Sequence, residues 1–198
     1  MNRGCVVMIA CAGVLALGGC NSAATRMYTL DVAAPGTRLS SYQAPALRVD
    51  SLNVPAGWDR IEILRPSATG ELKIDDFNHW SGTLGQVARQ ALSADLDARL
   101  PAGSVVYPRL PKPSGAMSVN VDILEFSIVG SRASMQASWV VAPASAGAGA
   151  PTPRRNEATL QGPMSSTEPA DVARAWSVLL GQLADHIAAD AALFGIPN

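Results

Sequence analysis

The chain is poor in the residues that most enzyme chemistry needs. It holds three cysteines and two histidines in 198 residues, and the cysteines all lie in the first twenty, at Cys5, Cys11 and Cys20. If that leader is cut and its last cysteine modified, no thiol remains for disulfides, thiolate metal sites or nucleophilic attack. His79 and His186 are too far apart in sequence for the common zinc spacings. Neither a phosphate-binding Gly-rich loop with a following Lys-Ser or Lys-Thr nor a G-x-S-x-G turn occurs. No cofactor and no metal is therefore predicted. Charge of one sign is missing too: fifteen basic residues face sixteen acidic ones for a net charge of −1, without long runs. That balance argues against nucleic acid as a partner. No internal period suggests a solenoid.

What the start does contain is ordered. Met1-Asn2-Arg3 is followed by an apolar stretch from Cys5 to Leu17 and then by Gly18-Gly19-Cys20. A basic start, a short apolar run and small residues before a cut site describe a signal peptide. The run is shorter than the roughly 20 residues a helix needs to cross a bilayer. Leu17-Gly18-Gly19-Cys20 resembles the bacterial lipoprotein box. The resemblance implies that residues 1–19 are removed, that Cys20 is acylated (palmitate among its chains), and that residues 20–26 are a lipidated tether. Several acyl chains on one residue anchor firmly. Asn21 stands where an inner-membrane retention signal would have Asp, so the outer membrane, periplasmic face, is predicted.

Residues 27–198 are about the right length for a single periplasmic domain. Residues 27–30 read as a short strand. Residues 47–54 alternate apolar and polar until their last pair, as a half-buried strand should. Residues 61–64 and 71–74 read as a hairpin. From Trp80 to Leu100 the period lengthens: Leu84, Val87, Ala88, Ala91, Leu92, Leu96 and Leu100 share a helical face, with Arg89, Asp95, Asp97 and Arg99 mostly on the others. Ser81 is its predicted cap and Pro101 its stop. Residues 105–107 read as a strand, and 118–126 and 133–141 as an antiparallel pair turning at Gly130. The Ala, Gly, Pro and Ser-rich stretch 142–157, with Arg154-Arg155 near its end, is predicted to be a flexible loop. After a strand at 158–160, Thr167 and Pro169 open a final helix whose apolar face carries Val172, Ala175, Trp176, Leu179, Leu180, Leu183 and Ile187. The fold class predicted is α/β: a three-layer arrangement with a mixed, largely antiparallel sheet of five or six strands, packed by two main amphipathic helices.

Candidate site residues are few. Asp75, Asp76 and His79 form the one place where a hydrolytic reading could start, but adjacent aspartates on a strand or turn point apart, and turn-making is the better role for them. His186 reads as a helix-side hydrogen bonder. Trp139 and Trp176 fall on apolar faces and are assigned to the core. Trp58, following Pro55-Ala56-Gly57 in a turn, is the candidate partner interface, together with Asp59 and Arg60.

Several residues, in order, resemble the ABC-type transport auxiliary lipoprotein component family (PqiC/YmbA-like). They are the box at Cys20, Tyr28-Thr29-Leu30, Leu47-Arg48-Val49 running to Val54-Pro55, Asp59-Arg60-Ile61, Arg65, Leu72, Asp75, and Trp80 with Leu84. Val119-x-Val121-x-Ile123-x-x-Phe126, Gly130, Ala133 and Trp139 continue the pattern. The chain departs from it at Ala56-Gly57-Trp58 and at Gly82-Thr83. The resemblance implies a non-enzymatic auxiliary component of an MCE/ABC-type envelope transport system for phospholipids or other hydrophobic molecules. Its partner would be the MCE-type substrate-binding protein, docked at the outer membrane, and a ring-like homo-oligomer is compatible. The competing reading is a structural or pilot-like assembly lipoprotein of another envelope complex, for which the same domain would serve.

Overall fold

The computed structural model describes residues 24–36, 38–66, 71–144 and 151–195. The expected signal peptide and Cys20 lie outside these residues. Seven strands and two helices follow in the order β1 (Arg26–Tyr28), β2 (Leu47–Asn53), β3 (Glu62–Pro66), β4 (Leu72–Trp80), α1 (Leu84–Arg99), β5 (Met117–Val129), β6 (Arg132–Ala142), β7 (Arg154–Pro163) and α2 (Pro169–Ala192). The α/β class, the mixed pairing and the two amphipathic helices agree with the sequence reading. The strands, however, divide between two sheets instead of forming one: β1-β4-β3 and β2-β5-β6-β7. Within them β1 runs parallel to β4 and β2 parallel to β5, and the remaining pairs are antiparallel.

Two missed beats in the apolar pattern are bulges. Along β5 Val119, Val121 and Ile123 are buried; Leu124 then has no partner across the ladder, and the phase shifts so that Phe126 opposite Met135 is buried again. Asp50 does the same in β2, between Val49 and Leu52. An extra residue in one strand reverses which parity faces the core. β6 keeps strict alternation, with Ala133, Met135, Ala137, Trp139 and Val141 inside. Gly130, at φ +60°, makes the tight β5–β6 turn in a region L side chains avoid. One apolar cluster draws on both sheets and both helices.

Several boundaries differ from expectation. Helix α1 starts at Leu84, not Trp80, because the Trp80 amide still donates to Ile61 O (2.6 Å) and the Ser81 amide to Tyr28 O (2.8 Å), so the chain has not yet left the sheet. Thr83, not Ser81, occupies the cap position, and no side-chain cap bond forms there. For α2 the cap position is Glu168; the carbonyl of Thr167 instead accepts from Arg65 Nε (3.0 Å). Residues 105–107 contribute a single bridge, Leu47 to Val105. The predicted loop 142–157 is shorter than expected. Ala142 ends β6, and residues 154–157 are strand, paired with Val141 to Ser138. Asp190 of α2 holds that end, accepting from Asn156 Nδ2 (2.7 Å) and lying 3.8 Å from Arg154 Nε.

Candidate functional site

The most polar feature of the interior lies between the two helices. Asp95 and Arg99, placed on the polar side of α1 by the sequence reading, are both buried. They extend the i, i+4 row of Val87 and Ala91, and its last member, Arg99, meets α2 at Asp185. Arg99 Nε donates to Asp185 Oδ1 of α2 (2.7 Å), and Nη1 to the Asp95 carbonyl (2.9 Å), with Asp95 Oδ1 at 3.4 Å. The same guanidinium reaches Ala33 O (3.4 Å) and Ala34 O (3.5 Å), while the Ala33 amide donates to Asp95 Oδ1 (2.8 Å). The segment leading from β1 is thus strapped across the helix pair. Gly181 permits the close crossing: a Cβ there would stand 2.4 Å from that of Ala33.

Charge in this network does not cancel. Two carboxylates face one guanidinium, and Asp95 Oδ2 is buried with no hydrogen-bond donor among the described residues. Burial pushes the Asp95 pKa up to about 6; the Ala33 amide and Arg99 pull against this, and Asp185 adds to it. The native state then binds a proton, as pH falls through about 6, that the unfolded chain takes up only near 3.8. Stability contributed by this group is therefore lowest above pH ~6 and rises as pH falls toward ~4. In Asp95→Asn that acid-side gain is expected to vanish. Melting of both proteins at about pH 7.5 and about pH 5 checks it, and parallel profiles would refute the assignment.

The sequence candidates fall elsewhere. Trp58 is 8% exposed. Its ring meets Phe126 edge-on (centroids 5.0 Å apart) and Trp176 (6.3 Å), and Phe126 stacks on Trp176 (4.4 Å). The turn after Pro55 directs the indole into the core, which overturns its expected place on an interface. Asp59 Oδ1 accepts from the Gly85 amide (3.0 Å) and so satisfies the first turn of α1. Arg60 pairs with Glu62 (2.8 Å).

Asp75 lies within β4 opposite Ile63, not in a turn, and its side chain braces the irregularity of the strand that follows it. Its Oδ1 accepts from the Phe77 amide (3.2 Å) and Asn78 Nδ2 (2.7 Å), and Arg65 lies 3.6 Å from Oδ2. Partial burial raises its pKa, but the bonds from Asn78 and Phe77 and the charge of Arg65 outweigh that and leave it below the ordinary value. His79 Nε2 lies 3.1 Å from the Asp76 carbonyl, not from a carboxylate. His186 packs against Trp139 (5.8 Å). Among the described residues no three His, Cys, Asp or Glu side chains converge as a metal site would require. Grooves there measure about 290, 320 and 140 Å³, the first lined by Gln86, Arg89, Gln90 and Arg109.

The comparisons with known proteins decide the family. The ABC-type transport auxiliary lipoprotein component family matches residues 28–188. The chain belongs to that family. Its match runs from Tyr28, the last residue of β1, to Ala188 near the end of α2, and so spans β2 to β7, α1 and most of α2. Members of the family are auxiliary components of ABC-type transport, which makes this chain an envelope transport component by kinship. Two solved structures share the fold. One is a crystal structure of an uncharacterized protein, 17% identical, covering 84% of this chain and 98% of its own, with a TM-score of 0.65. The other, from Xanthomonas campestris and assigned to the DUF330 family, is 17% identical and covers 86% and 96%, with a TM-score of 0.60. No curated protein matches the chain significantly. No described helix is long and apolar enough to cross a membrane.

Proposed function

We propose that the mature protein is a non-enzymatic lipoprotein, acylated on Cys20 and anchored at the periplasmic face of the outer membrane. There it docks the MCE-type substrate-binding protein of an ABC transport system that moves phospholipids or other hydrophobic molecules. The observation that carries the reading is the family match over residues 28–188. Two features support it. Three of the best-formed grooves among the described residues lie near or below the low end of the range for small-molecule sites, which suits docking better than carriage. The strap at Ala33 and Ala34 fixes the segment after β1 to the buried charges between the helices, and β1 itself, nearer the anchor, is held by its pairing with β4. Confinement of both partners to a thin compartment raises their effective concentration.

In-cell crosslinking followed by affinity purification and mass spectrometry tests the proposal, with wild type compared to Cys20→Ala. Recovery of an MCE-type protein by wild type, reduced in the variant, is the expected result. Recovery of a different envelope machine would transfer the assignment to an assembly or pilot-like lipoprotein.

A further inference from the structure

The groove of about 290 Å³ lies between α1 and the loop that follows Val105. Gln86, Arg89 and Gln90 line it from the helix, Tyr107 and Arg109 from the loop, and Ser81 from the segment before α1. Residues three and four apart on a helix share a face, which sets Gln86, Arg89 and Gln90 together on one wall. The loop is tied down on both sides of Arg109. The Val106 amide donates to Leu47 O (2.8 Å), the Leu110 amide to Tyr107 O (3.0 Å) and Arg48 Nη1 to Leu110 O (3.0 Å), while Lys112 Nζ lies 2.7 Å from Asp50 Oδ2. Both walls are thus held by the fold itself, which keeps the ordering cost of binding low.

Charge in the groove is of one sign. Arg89 and Arg109 are the only charged residues that line it, and neither forms an ion pair among the described residues. Arg89 Nη1 donates to the neutral Asp50 carbonyl (3.2 Å), and the Asp50 carboxylate is taken by Arg48 (2.8 Å) and Lys112. Asp97 accepts from Tyr107 Oη (3.4 Å) but stands eight residues beyond Arg89 on α1, about 12 Å along the axis. We infer that this groove binds a phosphate-type oxyanion, free or as part of an esterified headgroup. A guanidinium donates through a planar fork that matches an edge of a phosphate, and two forks from different elements suit a group with oxygens on several sides. A carboxylate offers one edge and engages one fork. Ser81 and the two glutamine amides add neutral donors. A groove of this size takes the anionic group and not a whole lipid, so a headgroup is held without its acyl chains being carried.

Titration of the isotope-labelled full chain in uncharged detergent, followed by backbone amide shifts, tests the site with inorganic phosphate and, separately, with phosphatidylglycerol. Saturable shifts concentrated on residues 81–90 and 107–109 are expected. Binding should weaken about tenfold in Arg89→Gln and in Arg109→Gln, and stay unchanged in Arg132→Gln, an exposed arginine of β6. Arg109 is exposed on its loop, so its variant still decides the matter if Arg89→Gln fails to fold. Saturation by phosphate alone assigns a free ion, and tighter binding of phosphatidylglycerol, lost in the same variants, assigns a lipid headgroup. Saturation by neither probe, shifts scattered over the surface, an equal loss in Arg132→Gln, or displacement of phosphate by acetate at equal concentration would each overturn the inference.

Discussion

Arg99→Met is expected to destabilise the protein by roughly 3–5 kcal/mol, the range for breaking a buried charged network by removing one partner. The guanidinium is 1% exposed and is the cation that Asp95 shares with Asp185. Its loss leaves Asp95 fully buried without its counter-charge, so that the carboxyl must either stay charged unpaired or take up a proton, and strips the hydrogen bonds from the Ala33, Ala34 and Asp95 carbonyls. Asp185 is about a third exposed and can return to water, so most of the penalty falls on Asp95. Urea unfolding checks the magnitude. The double variant Asp95→Leu with Arg99→Met should recover much of the loss, because two apolar side chains in the same space leave no orphaned charge. A single variant costing less than about 1 kcal/mol would show that the network is incidental. Hydrogen exchange at residues 33–34 should rise in Arg99→Met, since the strap loses its hold.

Trp176→Ala is the second large effect, expected at roughly 3–5 kcal/mol from lost burial and the cavity left behind. The side chain is fully buried and joins α2 to both neighbouring aromatic elements, stacked on Phe126 from β5 and edge-on to Trp58 from the turn after β2. Its Nε1 has no hydrogen-bond partner among the described residues. Trp176→Phe therefore removes an unsatisfied donor along with volume, and should cost about 1–2 kcal/mol, well under half the alanine value. Equal losses for the two variants would mean that the ring contacts with Phe126 and Trp58 contribute little. Denaturant midpoints at constant m-value measure both.

Much of this molecule was readable before any coordinates. The helical period across Leu84 to Leu100 and from Val172 to Ile187, the hairpin turn at Gly130, and the core roles of Trp139 and Trp176 all rest on local spacing. Even the two bulges are written as a missed beat, in Leu47-x-Val49-x-x-Leu52 and Val119-x-Val121-x-Ile123-x-x-Phe126. The buried pair Asp95 and Arg99 left a signal as well, an acid and a base four apart in the row of Val87 and Ala91. Charged residues on a helix are usually solvated, so that spacing by itself reads as a surface pair.

Local pattern sets what each stretch of chain can form, since periodicity and turn chemistry involve neighbours within a few residues. From these followed the α/β class, the two amphipathic helices and the kinship carried by the ordered motifs. Pairing between distant strands is a different matter. The division into two sheets, the inward turn of Trp58, the extension of β7 to Arg154 and the crossing of Ala33 over Gly181 depend on contacts between residues far apart in sequence. Only packing could select them, because the free energy of such contacts exists only once the partner element is in place.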